Sequence, residues 1–440
     1  HGSRGIFGIT QLMNVQISNS RLAGYVRAPV SKSHLHRLLI AAALSSGMSE
    51  ITGVSDCGDI QSTLAVLRAS GAQILQTDAG YTVMPGIVER GVFDCGESGS
   101  TLRFMLPMLA ARGIGGVFKM SDRLAQRPIA DLVICLREGG AKISDGFPLT
   151  LSGKIKPGKY RVRGGITSQY VTGMLLGLAA LEGESELMID GAETSRGYCA
   201  MTLDVLKNYG LEAQLIPGGY RINSRGTLFA PDVSAAEGDW SSAAFFLAAA
   251  VLSGDITVGG LRSESRQGDA VVAEILQRMG GGVSDAFLLE VFANNIACGG
   301  IRAFYKGALK GTDIDCADTP DLIPVLSVVC AAAEGKSRIR GASRLVYKES
   351  DRLRAIINML ASLGAAAKYE DDTLTIMGDG IKTGYAEGCN DHRIVMAASM
   401  AACAPDCSVE VTDAQAVNKS YPVFFRDFAA LGGKITSWKK

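Results

Sequence analysis

One internal motif constrains the fold more than any other feature, because it recurs six times along the chain. Each copy ends an amphipathic segment with Leu-x-x-x-Gly, or once Phe-x-x-x-Gly, and continues into a short β-like run. Successive copies are separated by 69, 70, 70, 84 and 68 residues. The copies are Leu67 to Ile74, Leu136 to Ile143, Leu206 to Ala213, Leu276 to Val283, Leu360 to Ala367 and Phe428 to Ile435. This spacing is longer than that of a solenoid repeat and predicts six small α/β units.

The chemistry of each unit predicts two kinds of helix. Glycine tolerates the left-handed conformation that ends a helix, so the motif predicts an amphipathic helix followed by a strand. A second helix in each unit is apolar nearly all round, as a buried helix would be, and begins with a polar cluster. These clusters are Ser31 to Ser33, Ser98 to Thr101, Thr167 to Gln169, Asp239 to Ser242, Asp318 to Asp321 and Asn390 to Arg393. Taken singly, each cluster is a helix cap. Six helix N-termini facing one cleft would form an anion-binding site.

A chain of 440 residues favours two domains. We expect residues 1–29 and 240–440 to form domain I, residues 30–239 to form domain II, and each to hold three units. The chain would cross between them near Arg27 to Ser31 and near Glu237 to Trp240. No low-complexity linker marks these crossings, which predicts short hinge strands rather than a flexible tether.

Composition excludes several classes of function. The 44 Lys and Arg residues balance 44 Asp and Glu residues, so no general attraction to nucleic acid or to anionic membranes is expected. The apolar runs are shorter than the roughly 20 residues that a membrane span needs. Ten cysteines lie scattered without a CxxC pair, which favours small core residues in a reducing, cytoplasmic protein. Four histidines without paired spacing argue against a zinc site.

Motifs in a fixed order carry a resemblance to a known family. They are SKSHLHR from Ser31, GESGSTLR from Gly96, QRP from Gln126, TSQYVTGMLL from Thr167, SRGY from Ser195, EGDWSSAAFFLAAA from Glu237, KESDRL from Lys348, NDHR from Asn390 and NKSYP from Asn418. From about Leu22 to Ile435 the chain resembles the 5-enolpyruvylshikimate-3-phosphate synthases. The resemblance implies a two-domain inside-out α/β barrel with six βαβαββ units, three in each domain. It also implies an enolpyruvyl transferase fold whose active site lies in the cleft between the domains.

The resemblance implies a reaction as well. Enolpyruvyl would pass from phosphoenolpyruvate to the 5-hydroxyl of shikimate 3-phosphate with release of phosphate, in aromatic amino acid biosynthesis. No metal or organic cofactor is expected. The expected partners are the two small substrates and the inhibitor glyphosate, acting on a monomer. Cations from the two domains are expected to repel one another until an anion lies between them, so that the cleft closes on binding.

The same resemblance assigns residues to roles. Asp321, Glu349 and Lys32 would be catalytic, with Asp321 acting on the attacking hydroxyl, Glu349 on C3 and Lys32 on the leaving phosphate. Shikimate 3-phosphate would be bound by Ser33, Arg37, Thr167, Ser168, Gln169, Ser195, Tyr198 and Lys348. Phosphoenolpyruvate would be bound by Lys32, Gly99, Arg127, Gln169, Arg352, His392, Arg393 and Lys419. Without the resemblance, most of these residues would be interpreted as helix caps or surface charges.

Four positions depart from the family pattern. Val30 stands where Gly is usual, Phe104 where Pro or Leu is common, and Arg344 where Asn is frequent. Glu97 stands where Asn is usual, and its carboxylate must turn away from the anion site or pair with a cation such as Arg103. These changes bear on substrate affinity and on glyphosate sensitivity more than on the type of reaction.

Three alternatives remain. A sister enzyme transfers enolpyruvyl to UDP-N-acetylglucosamine, but it typically carries a reactive Cys in the loop that aligns with Ser121 to Arg127, and no Cys lies between Cys95 and Cys135 here. A non-catalytic relative would bind phosphorylated metabolites. A repeat scaffold would show aromatic hot spots, whereas aromatic residues are only 6% of this chain.

Overall fold

A computed structural model describes residues 13–292 and 295–439. Within these residues the chain forms thirteen α-helices of at most 14 residues. They are α1 (Lys32–Ala43), α2 (Gly58–Ala69), α3 (Gly99–Arg112), α4 (Asp122–Ala125), α5 (Ala130–Glu138), α6 (Ser168–Ala179), α7 (Arg196–Asn208), α8 (Trp240–Ser253), α9 (Val272–Arg278), α10 (Ile323–Ala332), α11 (Arg352–Ser362), α12 (His392–Ala401) and α13 (Phe424–Ala430). Four 3-10 turns lie at Gly268–Val271, Pro320–Leu322, Ser343–Tyr347 and Ala414–Lys419. None of the helices in these ranges is long and apolar enough to cross a bilayer.

The strands of the described ranges form six sheets of four strands each. They are β1 (Met13–Ser18), β2 (Ala23–Arg27), β3 (Ser49–Thr52), β4 (Gln73–Gln76), β5 (Gly80–Met84), β6 (Arg90–Asp94), β7 (Gly115–Lys119), β8 (Ala141–Ile143), β9 (Leu149–Gly153), β10 (Lys159–Arg163), β11 (Glu182–Asp190), β12 (Gln214–Ile216), β13 (Gly219–Arg225), β14 (Val233–Ala235), β15 (Asp255–Leu261), β16 (Gly282–Phe292), β17 (Asn295–Phe304), β18 (Asp313–Asp315), β19 (Glu334–Arg340), β20 (Ala366–Glu370), β21 (Thr373–Asp379), β22 (Gly384–Ala386), β23 (Val409–Val411) and β24 (Lys434–Lys439).

Every sheet has the same pattern of pairing. In the second unit, β6 runs parallel to β7, β7 runs antiparallel to β9, and β9 pairs antiparallel with β8. Helix α3 connects the parallel pair and α5 precedes the antiparallel hairpin. The other five sheets repeat this order. The six predicted βαβαββ units are therefore confirmed, three as continuous segments and three with one strand supplied by a distant part of the chain.

The two predicted kinds of helix are also confirmed. Helix α8 buries every residue from Trp240 to Leu252, whereas α11 buries only one face, which includes Ile356 and Leu360. The glycine after each amphipathic helix has a positive φ, as a left-handed helix end requires. These glycines are Gly71, Gly140, Gly210, Gly280, Gly364 and Gly432.

Buried helices lie inside and sheets surround them. Helices α8, α10 and α12 contact one another, and α3 packs against α6. The α3–α6 approach depends on glycine, because a Cβ at Gly173 would lie 2.1 Å from the carbonyl oxygen of Arg103. Strands such as β10 bury alternate residues and leave the others exposed to solvent. This arrangement is the predicted inside-out α/β barrel.

The buried apolar residues form two separate clusters. One is built from residues between 13 and 28 and between 240 and 431, and the other from residues between 35 and 236. We call the first lobe I and the second lobe II. Strands β1 and β2 at the start of the chain complete sheets of lobe I with β22 to β24 and β15 to β17, while β14 returns to the first sheet of lobe II.

Two short connections join the lobes side by side. The backbone N–H of Ser31 donates to the carbonyl of Glu237 at 2.7 Å, and that of Asp239 donates to Pro29 at 2.8 Å. Val30 and Gly238 form an isolated antiparallel bridge between these bonds. A β-branched side chain suits this extended position, so the departure at Val30 is accommodated in the bridge.

Candidate active site

The first turns of the buried helices from both lobes line one cleft, which contains about 870 Å³ of open space, including solvent. Side chains at Ser31, Ser98, Thr167, Asp239 and Asp391 cap α1, α3, α6, α8 and α12 by accepting backbone N–H bonds. The residues that follow these caps are therefore presented to the cleft beside the positive ends of helix dipoles.

Most of the predicted site residues line this cleft. They are Lys32, Ser33, Arg37, Gly99, Arg127, Thr167, Ser168, Gln169, Ser195, Tyr198, Asp321, Lys348, Glu349 and Arg393. Arg352 and His392 are buried beside it. Lys419 is not among the lining residues, and it contacts Glu97 and the carbonyl of Asn390, which precede the first turns of α3 and α12. The structure therefore brings most of the predicted set to one place and Lys419 close to it.

Arg352 is the centre of a buried ion-pair network. Its guanidinium donates to Asp391 at 2.9 Å, to Asp321 at 2.8 Å and to Glu349 at 2.5 Å. Only 1% of the Arg352 side chain and none of the Asp391 side chain is exposed. Lys348 lies 3.0 Å and Arg393 3.2 Å from Asp321. Carboxylates of the protein itself thus neutralise much of this charge, while Lys32 and Arg393 still repel each other. Closure of the cleft on an anion stays a prediction.

This network fixes the ionisation of the two predicted acids. Burial would raise the pKa of Asp321, but Arg393, Lys348 and Arg352 outweigh burial and hold that pKa well below its usual range. Burial opposes ionisation of Glu349 in the same way, and Arg352 with Arg127 holds its pKa well below the usual range. Both groups are therefore carboxylates at neutral pH.

Lys32 has a partner that the sequence did not reveal. Its ammonium lies 2.8 Å from Asp59, which sits in the first turn of α2. Burial lowers the pKa of Lys32, but the charge of Asp59 outweighs that effect and raises it. Asp59 was missed because a lone acid at the start of an amphipathic helix carries no signal beyond the helix dipole.

Arg37 is anchored from several sides. It donates to Thr202 at 2.8 Å, to Thr172 at 3.0 Å and to the carbonyl of Tyr198 at 3.1 Å. Burial lowers its pKa to about 10, so it remains charged at neutral pH. Its guanidinium lies 5.2 Å from the ring centroid of Phe104, which lines the cleft. The Phe104 departure thus contributes a cation–π contact to the floor of the site.

Gln169 is held in place by two neighbours. Arg103 donates to its side-chain oxygen at 2.6 Å, and Gln169 in turn donates to the hydroxyl of Ser100 at 2.9 Å. Arg103 is fixed by two bonds to the carbonyl of Pro128, at 2.7 and 3.2 Å. Burial lowers the pKa of Arg103 to about 9.

Glu97 pairs with a cation, as expected, but the cation is Lys419 rather than Arg103. One carboxylate oxygen of Glu97 contacts the ammonium of Lys419, and its other oxygen accepts from the amide of Asn390 at 3.4 Å. The backbone places Glu97 just outside α3, whereas Arg103 points along the helix toward Gln169. The different directions of the Glu97 and Arg103 side chains therefore explain why they do not pair.

His392 and Arg127 retain unused polar atoms. Both ring nitrogens of His392 and the Nε of Arg127 are buried without a hydrogen-bond partner. Burial, with Lys32 and Arg393 nearby, lowers the pKa of His392 well below its usual range, so the ring is neutral. Buried polar atoms of this kind are available to a ligand.

Several bonds cross the cleft between the lobes. Arg123 in α4 donates to the carbonyls of Lys348 and Glu349, both at 3.0 Å. The N–H of Ser195 donates to Asp318 at 2.6 Å, which holds Ser195 in the left-handed region at φ 54°. Arg127 lies 3.8 Å from Glu349. The lobes thus touch directly on both sides of the predicted acids.

Two further residues in the cleft were not predicted to take part. Asp269 is fully buried, accepts from the hydroxyl of Ser241 and has one oxygen without a partner. Burial first, and then the charge of Asp321, raises its pKa to about 6. Arg344 lines the cleft and donates to the carbonyl of Ala317. Asp269 lies in the 3-10 turn Gly268–Val271, where a single Asp carries no sequence signal of a functional role.

The described residues include no group of three or more His, Cys, Asp or Glu side chains that could hold a metal. Nine cysteines are free thiols, and all of these except Cys389 are buried. The loop from Ser121 to Arg127 contains α4 and no cysteine.

Solved structures share this fold. An EPSP synthase from Acinetobacter baumannii superimposes with a TM-score of 0.79 over 98% of this chain and 100% of its own, at 25% identity. The enolpyruvyl transferase NikO from Streptomyces tendae superimposes with a TM-score of 0.74 over 98% and 100%, and at 18% identity this likeness concerns the fold alone. Six βαβαββ units around a cation-lined cleft thus define an enolpyruvyl transferase fold.

Sequence comparisons identify one family among the proteins with this fold. The family model for EPSP synthase (3-phosphoshikimate 1-carboxyvinyltransferase) matches residues 17–428. A protein named 3-phosphoshikimate 1-carboxyvinyltransferase from Clostridioides difficile strain 630 is 37% identical over 97% of this chain and 99% of its own. One of the same name from Methanocorpusculum labreanum is 34% identical over 96% and 99%. The chain belongs to the EPSP synthase family.

Proposed function

We propose that this protein transfers the enolpyruvyl group of phosphoenolpyruvate to the 5-hydroxyl of shikimate 3-phosphate and releases inorganic phosphate. The observation that carries the proposal is the network of Asp321 and Glu349 with Arg352, placed among helix N-termini in a cleft that suits several anionic groups. Family membership supports the same reaction, which serves aromatic amino acid biosynthesis.

Shikimate 3-phosphate would lie mainly against lobe II. Its proposed contacts are Ser33, Arg37, Thr167, Ser168, Gln169, Ser195, Tyr198 and Lys348. Hydroxyl and amide groups suit the alcohols of this ligand, and cations suit its phosphate. The anchoring of Arg37 on three oxygens fixes one such cation before the ligand arrives.

Phosphoenolpyruvate would lie between the lobes. Its proposed contacts are Lys32, Gly99, Arg127, Gln169, Arg352, His392, Arg393 and Lys419. The free Nε of Arg127 and the unpartnered ring of His392 support this placement, because both would gain a bond from the ligand. A Cβ at Gly99 would lie 3.1 Å from the guanidinium carbon of Arg127, so the glycine keeps that cation in position.

The ionisation of the two acids suggests their order of action. The carboxylate of Asp321 would accept the proton of the 5-hydroxyl as its oxygen bonds to C2. C3 must gain a proton, which Glu349 can supply only after it has itself been protonated. Phosphoenolpyruvate would engage Arg127 and so weaken the cation field that lowers the pKa of Glu349. Substrate binding would therefore prepare the acid.

The intermediate would then collapse. C3 would lose a proton to Glu349 while the bond from C2 to the phosphate oxygen breaks, leaving an enol ether and inorganic phosphate. Lys32 would stabilise the leaving phosphate, and Asp59 keeps Lys32 charged and in place. No metal or organic cofactor is needed for these steps.

We propose that residues 1–29 with 240–440 form domain I and residues 30–239 form domain II, although residues 1–12, 293–294 and 440 lie outside the described ranges. The two separate apolar clusters and the paired crossovers at Val30 and Gly238 support this division. We also propose a cytoplasmic protein, which the nine free and mostly buried cysteines support. We propose further that it acts as a monomer and that glyphosate inhibits it at the phosphoenolpyruvate site.

Phosphate release tests the reaction directly. Purified protein with shikimate 3-phosphate and phosphoenolpyruvate should release phosphate and form the enolpyruvyl ether. The same assay with UDP-N-acetylglucosamine in place of shikimate 3-phosphate should give none. Turnover of the sugar nucleotide would support the sister activity, and tight binding of both substrates without phosphate release would support a non-catalytic relative.

A further inference from the structure

A carboxylate of lobe II pairs with a cation of lobe I beside the first turns of α3 and α12, which line the cleft. Glu97 precedes the N-cap of α3, and Lys419 ends the 3-10 turn Ala414–Lys419. The carboxylate of Glu97 contacts the ammonium of Lys419 and accepts from the side-chain amide of Asn390 at 3.4 Å. Two residues of one lobe thus hold one side chain of the other.

Lys419 has few other partners. Within the described ranges, its ammonium donates to the carbonyl of Asn390 at 2.6 Å and forms its one ion pair with Glu97. A carbonyl cannot neutralise a full charge, so Glu97 is the counter-ion of Lys419. The exposed fraction is 18% for Lys419 and 41% for Glu97, which leaves the pair accessible to a competing anion.

We propose that Glu97 is an internal occupant of the phosphoenolpyruvate site, which the substrate must displace from Lys419. This inference rests on the proposed function, in which Lys419 binds the substrate. Glu97 and phosphoenolpyruvate both offer anionic oxygens to the ammonium of Lys419. Only one of them can form full-strength charged hydrogen bonds with that ammonium at a time. Glu97 therefore sets the affinity for phosphoenolpyruvate without taking part in the chemistry.

The expected size of this effect follows from the exposure of the pair. Exposed ion pairs contribute little, and displacing one corresponds to roughly a two- to five-fold change in an equilibrium constant. Glu97→Gln keeps the shape and the bond from Asn390 but removes the charge. It should lower the dissociation constant and the KM for phosphoenolpyruvate by that factor, with kcat little changed.

The first experiment measures Lys419 without any turnover. An amine-acylating reagent is applied to the ligand-free protein, and modification of Lys419 is followed by peptide mass spectrometry. Lys419 should react faster in Glu97→Gln than in the parent, and phosphoenolpyruvate should protect it in both. The control is Lys207, whose ion pair with Glu212 is exposed and lies away from the cleft, and whose reactivity Glu97→Gln should not alter. Equal rates at Lys419 would overturn the proposal.

The second experiment measures affinity. The dissociation constant for phosphoenolpyruvate is titrated with the parent, Glu97→Gln, Lys419→Gln and the double variant. The gain from Glu97→Gln should vanish when Lys419 is absent. A gain that persists without Lys419, or an unchanged affinity in Glu97→Gln, would refute the competition. A parent that releases no phosphate would refute the proposed function, whereas the Lys419 protection data would still decide this inference.

Discussion

Arg352 and Asp391 form an ion pair that solvent does not reach. The Nε of Arg352 lies 2.9 Å from Asp391, with 1% and 0% of the two side chains exposed. Asp391 also caps α12 by accepting the N–H of Arg393 at 2.9 Å. One carboxylate thus orients two of the proposed substrate cations. The Nη1 of Arg352 donates to Asp321, while its Nη2 donates to Glu349 and also to Asp391 at 3.2 Å.

Asp391→Asn should therefore destabilise the protein and misplace the two cations that Asp391 orients. Removing one partner of a buried pair typically destabilises a protein by about 3–5 kcal/mol, because a charge is left uncompensated. We expect a lower midpoint in urea and a higher KM for phosphoenolpyruvate. Asp145→Asn is the matched control, since its side chain is 95% exposed and should leave both values unchanged. Equal stability of the two variants would show that the pair contributes little.

Asp321→Asn and Glu349→Gln should each lower kcat while shikimate 3-phosphate still binds. Positioned proton transfer contributes on the order of 100- to 10,000-fold, and neither amide can replace a carboxyl group in that role. Both residues also neutralise cations, so the variants should bind phosphoenolpyruvate at least as tightly as the parent. Steady-state phosphate release and calorimetric titration give the two quantities. Turnover within about threefold of the parent would contradict the proposed roles.

Gly99→Ala should weaken inhibition by glyphosate more than it weakens binding of phosphoenolpyruvate. A Cβ there would lie 2.7 Å from Arg103 and 3.1 Å from Arg127, so both guanidinium groups must shift. Glyphosate is longer than phosphoenolpyruvate, so the shifted guanidinium groups should obstruct its binding more. The ratio of the inhibition constant to KM measures the effect. Gly158→Ala serves as the control because nothing lies within 4 Å of that position.

Arg123→Gln should open the cleft of the ligand-free protein. The variant loses the charged bonds from Arg123 to the carbonyls of Lys348 and Glu349, which hold the loop of the proposed acid. Hydrogen bonds to charged groups contribute roughly 1.5–3 kcal/mol each, so kcat/KM should fall at least about ten-fold. Small-angle scattering should show a larger radius of gyration for the variant. Substrates should reduce that radius in the variant.

Arg137→Gln is the control for Arg123, because Arg137 pairs with Asp145 within lobe II. Its radius of gyration and kcat/KM should equal those of the parent. A radius that is the same in all three proteins would mean that the Arg123 bonds do not hold the lobes together.

Asp269→Asn should change how stability depends on pH. Burial raises the pKa of Asp269 to about 6 in the folded protein, against about 4 when unfolded. The folded state therefore favours the protonated carboxyl, and this contribution to stability is present below pH 4 and is lost as pH rises through about 6. Two pH units correspond to about 3 kcal/mol. Asparagine cannot ionise, so the variant should gain stability relative to the parent between pH 4.5 and 7.5.

Denaturant unfolding at those two pH values measures this difference. The groups that face Asp269 are Asp239, Asp321, Arg393, Tyr198 and Ser241. Among them, Asp321 loses its proton at lower pH than Asp269, because Arg393, Lys348 and Arg352 outweigh burial and hold the pKa of Asp321 well below its usual range. Parallel stability curves for parent and variant would show that Asp269 does not carry the extra proton.

The sequence predicted the features that local chemistry determines. Glycine ends each amphipathic helix in the left-handed conformation, and Ser, Thr or Asp caps an exposed backbone N–H where five of the six buried helices begin; α10 has no such cap. These rules act within a few residues, so six units and six helix N-termini could be read directly. The motif order then located residues such as Lys32 and Arg393, whose positions in the cleft follow from those caps.

Ion pairs and hydrogen bonds between residues of different units could not be predicted from the sequence in this way. Asp59 contacts Lys32 from the next helix, Arg123 contacts the carbonyl of Glu349 from the opposite lobe, and Glu97 contacts Lys419 between the lobes. Each contact depends on how two units pack, and the intervening chain carries no pattern that records it. Neutralisation of the cleft cations by internal carboxylates was missed for the same reason.

The paired crossovers also determine the order in which the two lobes can fold during synthesis. Strand β1 pairs with β24, so that Met13 lies opposite Lys439, and β2 needs β15. A ribosome emitting roughly 5–20 residues per second would release β1 long before its partner exists. Lobe II draws its apolar cluster from residues between 35 and 236 and can collapse in the meantime. Strands β1 and β2 therefore stay unpaired until β24 and β15 have been synthesised, and only then can lobe I complete its sheets.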